Sequence, residues 1–265
     1  MNTVPKTHSD QYFAADQHAE IEHRRLNRLT QEYDPFSQER LTEALEVIRP
    51  QSILDVGCGT GSLLRWLSGR VSEQAVLAGL DLVPRLQSSD RIKIVEGNLL
   101  ETPFKAQFDL IHCRMVLEHL ADPKAGLSAL ASMLTPGGVL LVGDLNCARV
   151  SSSLPDHALT TEFDRGVKTM VSTLEASGLL DPIYGTKLAG DCEAMGLKVL
   201  GEARLSREIE GGTDWAQFQR ANTEMLDALV TTPNALDGLM TGFSTPGFHY
   251  HDQELVYVTA RKPDV

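Results

Sequence analysis

The chain has 265 residues, 42% of them hydrophobic and 23% charged, a composition that suits a globular protein with a real core to bury. A formal net charge of −12 speaks against a protein that grips a phosphate backbone, since Arg24, Arg25 and Arg28 form the one local basic cluster. No apolar run approaches the ~18–20 residues of a membrane span, and the first residues hold no apolar signal core; neither nucleic acid nor a membrane is an expected partner, and the expected location is cytoplasmic.

From about Asp10 to Gln31 the chain is polar with spaced apolar residues (Tyr12, Phe13, Ile21, Leu26, Leu29), which predicts one or two helices. Pro35 is expected to break the chain, and Ser37 to cap a further helix with Leu41, Leu45 and Ile48 on one face, ending before Pro50. Ile53, Leu54 and Val56 make a short β-branched run suited to a buried parallel strand. Gly57, Gly59 and Gly61 follow at alternate positions, and Leu63, Leu64 and Leu67 then recur at helical spacing. The stretch therefore reads strand, glycine turn, helix.

Such a turn tolerates positive φ and lets a ligand approach the backbone closely, while the helix behind it presents free N–H groups and a partial positive charge. It would suit dinucleotide phosphates or the amino-acid end of an adenosyl cofactor. In the dinucleotide fingerprint G-x-G-x-x-G the last glycine would fall on Ser62, whereas here the third glycine is Gly61 and an acid, Asp55, lies two residues before the first.

Ala75–Asp81 reads as the second strand and ends in an acid 24 residues after Gly57. A carboxylate there can accept both hydroxyls of a ribose, a device shared with NAD enzymes, or simply cap the next turn. Arg91–Glu96 alternates and reads as the third strand. Phe108–Arg114 then runs from a strand into Leu117-Glu-His-Leu120, followed by a helix with Leu127, Leu130 and Leu134, a turn at Thr135–Gly138 and a fifth strand at Val139–Asp144. Arg114 stands four residues before Glu118, a spacing that also permits an ordinary helical ion pair.

Beyond Asp144 the pattern changes. A helix is expected around Phe163, Val167, Met170 and Leu174, a turn at Asp181–Gly185, and another helix from Leu188 to Met195. Leu197–Leu205 reads as a sixth strand, Trp215 to about Val230 as a helix behind Gly211–Asp214, and Glu254–Ala260 as the last strand; Thr245–His251 reads as a solvated loop. Cys58, Cys113, Cys147 and Cys192 are scattered, so buried thiols are expected in place of disulfides or a metal site.

Taken together, Asp55-Val-Gly-Cys-Gly-Thr-Gly61, Gly97–Phe104, Phe108–Leu120 and Thr135–Asp144 resemble, in order, the core motifs of class I S-adenosylmethionine (SAM) dependent methyltransferases of the ubiquinone and menaquinone biosynthesis type. The resemblance implies SAM as cofactor and S-adenosylhomocysteine as product. It places Asp55, Gly57, Cys58, Gly59 and Gly61 around the methionine part, Asp81 and Leu82 at the ribose, and Asn98 and Leu99 at the adenine, although the more frequent residue at position 98 is Asp. Arg114 would face the cofactor from the fourth strand end, and His119 would edge the methyl-transfer site as a catalytic candidate. The Pro-Pro-aromatic motif of nucleic-acid amino-methyltransferases is replaced by His112-Cys-Arg-Met-Val-Leu117, which agrees with the charge balance. Thr161–Pro263 is further similar to bacterial class I methyltransferases often found with secondary-metabolite genes, through Tyr184-Gly185-x-x-Leu188, Gly211-Gly212 and Pro246-x-Phe248. An Arg-Leu pair of that group matches Arg25-Leu26, with the arginine implied as partner of the SAM carboxylate, and the acceptor implied is a small molecule.

The expected fold is thus α/β: a doubly wound, mostly parallel seven-stranded sheet whose last strand alone is antiparallel, in a single domain over residues 1–265. Residues 1–50 would form a helical cap, 51–144 the cofactor core, 145–190 a helical lid insertion and 191–265 the rest of the sheet. The expected reaction moves the SAM methyl to an O, N or C nucleophile, mainly by positioning and desolvation. His119, Asp144, Tyr184 and His249 are candidate bases, and Tyr12 or Phe13 candidate contacts for the sulfonium. An NAD(P)-type oxidoreductase on the same architecture, or a SAM-binding protein that transfers nothing, are the rival readings.

Overall fold

In the computed structural model, which describes residues 19–101, 104 and 108–264, the first element is a single helix, α1 (Ala19–Val47), with Pro35 inside it. The expected break at Pro35 is therefore corrected. A proline in mid-helix removes one N–H and crowds the carbonyl four residues back. Here that cost is opposed by a buried face of Tyr33, Leu41 and Ala44 and by the side chains of Asp34 and Ser37, which are buried too. Ser37 is no N-cap: its hydroxyl lies 3.1 Å from the Tyr33 carbonyl in the middle of the helix.

The chain continues with β1 (Ser52–Val56), α2 (Ser62–Ser68), β2 (Val76–Asp81), β3 (Ile92–Glu96) and β4 (Phe108–Arg114). After a 3-10 turn at Leu117–His119 come α3 (Pro123–Met133) and β5 (Leu134–Asn146). Asp122 caps α3 by accepting from the Ala125 N–H at 3.1 Å, with Pro123 in the first turn. The expected Thr135–Gly138 turn is drawn into β5, where the register against β4 shifts between Phe108 and Leu110. Then follow β6 (Ser151–Ser152), α4 (Thr160–Ser177), α5 (Leu188–Ala194), β7 (Lys198–Leu205), β8 (Glu208–Glu210), α6 (Asp214–Glu224), α7 (Asp237–Ser244), β9 (His249–His251) and β10 (Glu254–Arg261).

Seven strands form the main sheet in the order β3-β2-β1-β4-β5-β10-β7. The β1–β2, β2–β3, β1–β4 and β4–β5 pairs are parallel. From β1 the chain winds outward to β3, then returns to the other side of β1 with β4. That reversal makes the carboxyl ends of β1 and β4 the topological switch point, where open α/β sheets hold their ligands. Ile53, Leu54, Leu110, Ile111, Leu140 and Leu141 are fully buried, as strands covered on both faces require. No helix among the described residues is long and apolar enough to cross a membrane.

The chain divides into two compact units: residues 1–144, 187–203 and 257–265, and residues 145–186 with 204–256. The second has its own three-stranded antiparallel sheet, β6-β9-β8, and its own core around Phe163, Phe243, Phe248 and Tyr250. The solvated loop expected at Thr245–His251 is corrected, since His249–His251 forms the central strand, with Tyr250 turned into the core and the two histidines half-buried. The helix expected from Trp215 to Val230 ends at Glu224, with a 3-10 turn at Asp227–Leu229 after it, and α7 was not foreseen. Glycines let α4 and α7 approach: a Cβ on Gly242 would lie 2.3 Å from the Phe163 ring, and one on Gly166 2.7 Å from the Leu239 Cβ. In the same unit Asp252, fully buried, accepts from Arg207 at 2.7 Å, Trp215 at 2.7 Å and Gln219 at 2.8 Å.

Candidate functional site

The glycine turn rests on the ends of β1 and β2. The N–H groups of Gly57 and Cys58 both point to the Leu80 carbonyl, at 2.8 and 3.3 Å, and the Gly61 N–H closes the turn on the Cys58 carbonyl at 2.7 Å. Gly59 takes φ +49°, and a Cβ built on it meets no atom nearer than 3.9 Å, one of those atoms being Leu26 of α1. Its left-handed backbone, with neighbours only at van der Waals distance where a side chain would stand, makes Gly59 a place where a ligand can meet the main chain.

Asp81 is the acid beside that turn. Its carboxylate accepts from the Gly59 N–H at 2.8 Å and the Val83 N–H at 2.9 Å. Burial raises its pKa, against those two donors. The Gly97 N–H reaches the Asp81 carbonyl at 2.9 Å, which sets Asn98 and Leu99 at the neighbouring strand end. The Asn98 side chain accepts from the Leu100 N–H at 2.9 Å; Leu99 is buried and Leu82 partly exposed. Glycine turn, acid and Asn98 thus stand in a row across β1, β2 and β3. A carboxylate with unused lone pairs, a left-handed glycine turn and a side-chain amide suit the hydroxyl-rich and amide-like edges of an adenosyl amino acid.

The side chains of the other candidates have partners within the protein. Cys58 is buried, with its sulfur 2.8 Å from where a Gly79 Cβ would stand, so its side chain fills the sheet. Burial pushes its thiol well above the ordinary range, as do Asp55 and Asp81. Asp55 is turned beneath the turn, its carboxylate 2.7 Å from His112 Nδ1. Arg114 donates to Asp34 at 2.8 Å and to Ser37 at 2.6 Å, both on α1, in place of the local pair with Glu118 that its spacing permits. Burial works against its charge, yet Tyr257 and Asp34 hold its pKa above the usual arginine value. Arg25 pairs with Glu22 through two bonds of 2.7 and 2.9 Å. Burial, and then Arg85, bring Arg25 down to about 10.

His119 sits in the 3-10 turn with Nε2 3.6 Å from the Glu118 carboxylate, and the Glu118 N–H reaches Asp144 at 3.4 Å. The structure therefore brings His119 and Asp144 to one neighbourhood, through Glu118. Tyr184 and His249 belong to the second unit, Tyr184 buried and His249 on β9. Tyr12 and Phe13 lie outside the described residues. Glu22, Asp34, the hub role of Ser37 and Tyr257 were not foreseen. Only Glu22 had a local signal, its three-residue spacing from Arg25.

Comparison with known proteins bears on the same region. A family model described as a methyltransferase domain matches residues 20–202. The chain is 32% identical over 194 residues to methyltransferase str2 of Strobilurus tenacellus, covering 72% of this chain and 68% of that protein. It is 35% identical over 138 residues to the ubiquinone biosynthesis O-methyltransferase of Xylella fastidiosa, covering 43% of this chain and 54% of that enzyme, so it matches only about half of the latter's length. Among solved structures, a protein described as a methyltransferase from Bacillus halodurans superposes with a TM-score of 0.52 at 18% identity, covering 80% of this chain and 92% of that one; at that identity the likeness is one of fold.

Proposed function

This chain belongs to the class I SAM-dependent methyltransferases, and we propose that its acceptor is a small molecule methylated on oxygen, nitrogen or carbon. One observation carries the assignment of the cofactor place: the Asp81 carboxylate accepts the Gly59 N–H at 2.8 Å, at a left-handed glycine on which a Cβ would meet nothing nearer than 3.9 Å. SAM supplies a methyl group on a sulfonium, already an excellent leaving group. The protein's part is then to bind, orient and exclude water.

In this reading Gly57, Gly59 and Gly61 offer main chain to the amino-acid portion, Asp81 the ribose, and Asn98 with Leu99 the base. Arg25 reaches the cofactor carboxylate by exchanging its partner Glu22. His119, ordered by Glu118, takes the proton when the acceptor carries one. Residues 145–190 set the choice of acceptor. The low basic charge of the chain supports a small molecule over nucleic acid, and the similarity of Thr161–Pro263 to enzymes found with secondary-metabolite genes supports a cytoplasmic role in such metabolism.

The thermal midpoint with SAM, S-adenosylhomocysteine or NAD added separately tests the site. A ligand at a hundredfold excess over its Kd adds ~2.7 kcal/mol, a rise of about 5–10 °C for a chain of this size. Both adenosyl compounds should shift the midpoint and NAD should not; a shift with NAD alone overturns the reading. Gly59→Leu should lower methyl incorporation at least tenfold while keeping the fold at some cost in stability, because its side chain would stand on a left-handed backbone over the turn beside Leu26.

A further inference from the structure

Beneath the glycine turn runs a buried chain of hydrogen bonds that joins four elements of the first unit. Arg114 at the end of β4 donates to Ser37 Oγ on α1 at 2.6 Å. Ser37 Oγ lies 2.7 Å from the hydroxyl of Tyr257 on β10, that hydroxyl lies 2.8 Å from His112 Nε2 on β4, and His112 Nδ1 lies 2.7 Å from Asp55 on β1. Asp34 closes the other end on Arg114 at 2.8 Å. With the His112 proton on Nδ1, every bond points one way: arginine to serine, serine to tyrosine, tyrosine to histidine, histidine to aspartate. Each hydroxyl then accepts once and donates once, and the Tyr33 carbonyl, 3.1 Å from Ser37 Oγ, is the alternative acceptor.

Both ends of this chain arrive at Gly57. Asp55 is two residues before it in β1. From the other side, Arg114 is followed by Met115, which takes φ +53° and donates its N–H to the Gly143 carbonyl at 2.8 Å. Val116 comes next and lies against Gly57: a Cβ on that glycine would be 2.3 Å from Val116 Cγ2. A left-handed backbone at a residue other than glycine costs of order 1–3 kcal/mol and persists only where its surroundings hold it. Here the Gly143 carbonyl takes the Met115 N–H, and the residue before it, Arg114, is tied to Asp34 and Ser37.

Stability alone does not account for the arrangement. Asp34, Ser37, Asp55, His112 and Tyr257 are all buried, and apolar side chains of similar volume would stabilise such a place as well or better. What a saturated polar chain adds is a single geometry. We propose that Ser37, Tyr257 and His112 are positioning residues of the cofactor site: through Asp55 on one side and Arg114–Val116 on the other, they fix the glycine turn and seat α1 against it. The proposal rests on the reading of the glycine turn as the SAM site.

Calorimetric titration of the wild type with SAM comes first, then Tyr257→Phe, which keeps the ring and removes both hydroxyl bonds, and Ser37→Ala, which breaks the chain from the α1 side. Both variants should bind SAM about tenfold more weakly. Hydrogen exchange of residues 22–47 in cofactor-free protein should be faster in both. Urea midpoints measured alongside separate this from a purely structural role, which would lower the midpoint and leave SAM affinity within twofold of wild type; that result overturns the proposal. Should Tyr257→Phe fail to fold, Ser37→Ala decides. A wild type that does not bind SAM overturns the cofactor reading and the proposal with it, whereas wild-type binding with unchanged variants overturns the positioning role alone.

Discussion

Asp81 holds Gly59 by its backbone N–H at 2.8 Å and Val83 by its own at 2.9 Å, so one carboxylate shapes both the glycine turn and the chain leaving β2. A hydrogen bond to a charged group contributes about 1.5–3 kcal/mol, and Asp81→Ala removes the turn's acceptor and, on the proposed reading, the ribose's as well. SAM affinity should fall roughly 10- to 100-fold on the same basis, with Asp81→Asn, which keeps one acceptor oxygen, in between. Calorimetry checks the order. Wild-type affinity in Asp81→Ala would show that the carboxylate meets no part of the cofactor.

Glu22 should make stability depend on pH. Burial pushes its pKa from 4.5 up to about 7, with Arg85 opposing and Asp81 adding to the rise. Between those two values the folded chain holds a proton that the unfolded chain has lost. The contribution of Glu22 is then full below about pH 4.5 and falls as pH rises to about 7, beyond which it is level. Glu22→Gln removes the titration, so its urea midpoint should gain on the wild type across that window, on top of a constant offset from the altered pairing with Arg25. A difference that does not change with pH would show that Glu22 does not titrate there.

Two glycines should respond in opposite ways to the same substitution. Gly242→Ala drives a methyl to 2.3 Å from the Phe163 ring and 2.9 Å from the Phe248 ring, in the centre of the second unit's core. Overpacking of this kind costs about 1–3 kcal/mol. Gly190 lies in α5 with nothing within 4 Å of a built Cβ, so Gly190→Ala should stabilise by about 0.4–1 kcal/mol through the lost freedom of the unfolded chain. Urea midpoints of the two variants should move apart.

None of the four cysteines forms a disulfide, and all four are buried. Burial raises the thiols of Cys58 and Cys113 well beyond the usual range and Cys192 to about 12. Thiolate is the reactive form. A chromogenic disulfide reagent at pH 8 should therefore react slowly with the native protein and release four equivalents once it is unfolded in denaturant. Fast reaction of a native thiol would place one of them at the surface.

Much of the core was legible in the chain. Ile53–Leu67 announces strand, turn and helix through its own spacing, and β2, β3, β4, β7 and β10 begin and end within two residues of where alternation and apolar runs put them. The acid at Asp81 was legible as well, because its place at a strand end is local. Elsewhere local signals misled. Pro35 reads as a break until the burial of Tyr33 and Leu41 is known, His249–His251 is too short to announce a strand, and the Pro-, Thr- and Asn-rich residues 231–234 hide the approach to α7.

The sequence by itself determined the order of strands and helices from Ser52 to Asp144 in outline, the place of the glycine turn and the cofactor class its motifs imply. Only the tertiary structure decided which partner each polar side chain takes. Arg114 has Glu118 within helical reach yet pairs with Asp34, 80 residues away, and Tyr257 meets His112 and Ser37 across 145 and 220 residues. Periodicity is a property of near neighbours and is written in the chain. A hydrogen bond between β4, β10 and α1 depends instead on strand order and register, which no local stretch contains: Asp55 meets His112 because β4 lies beside β1 with those two residues level.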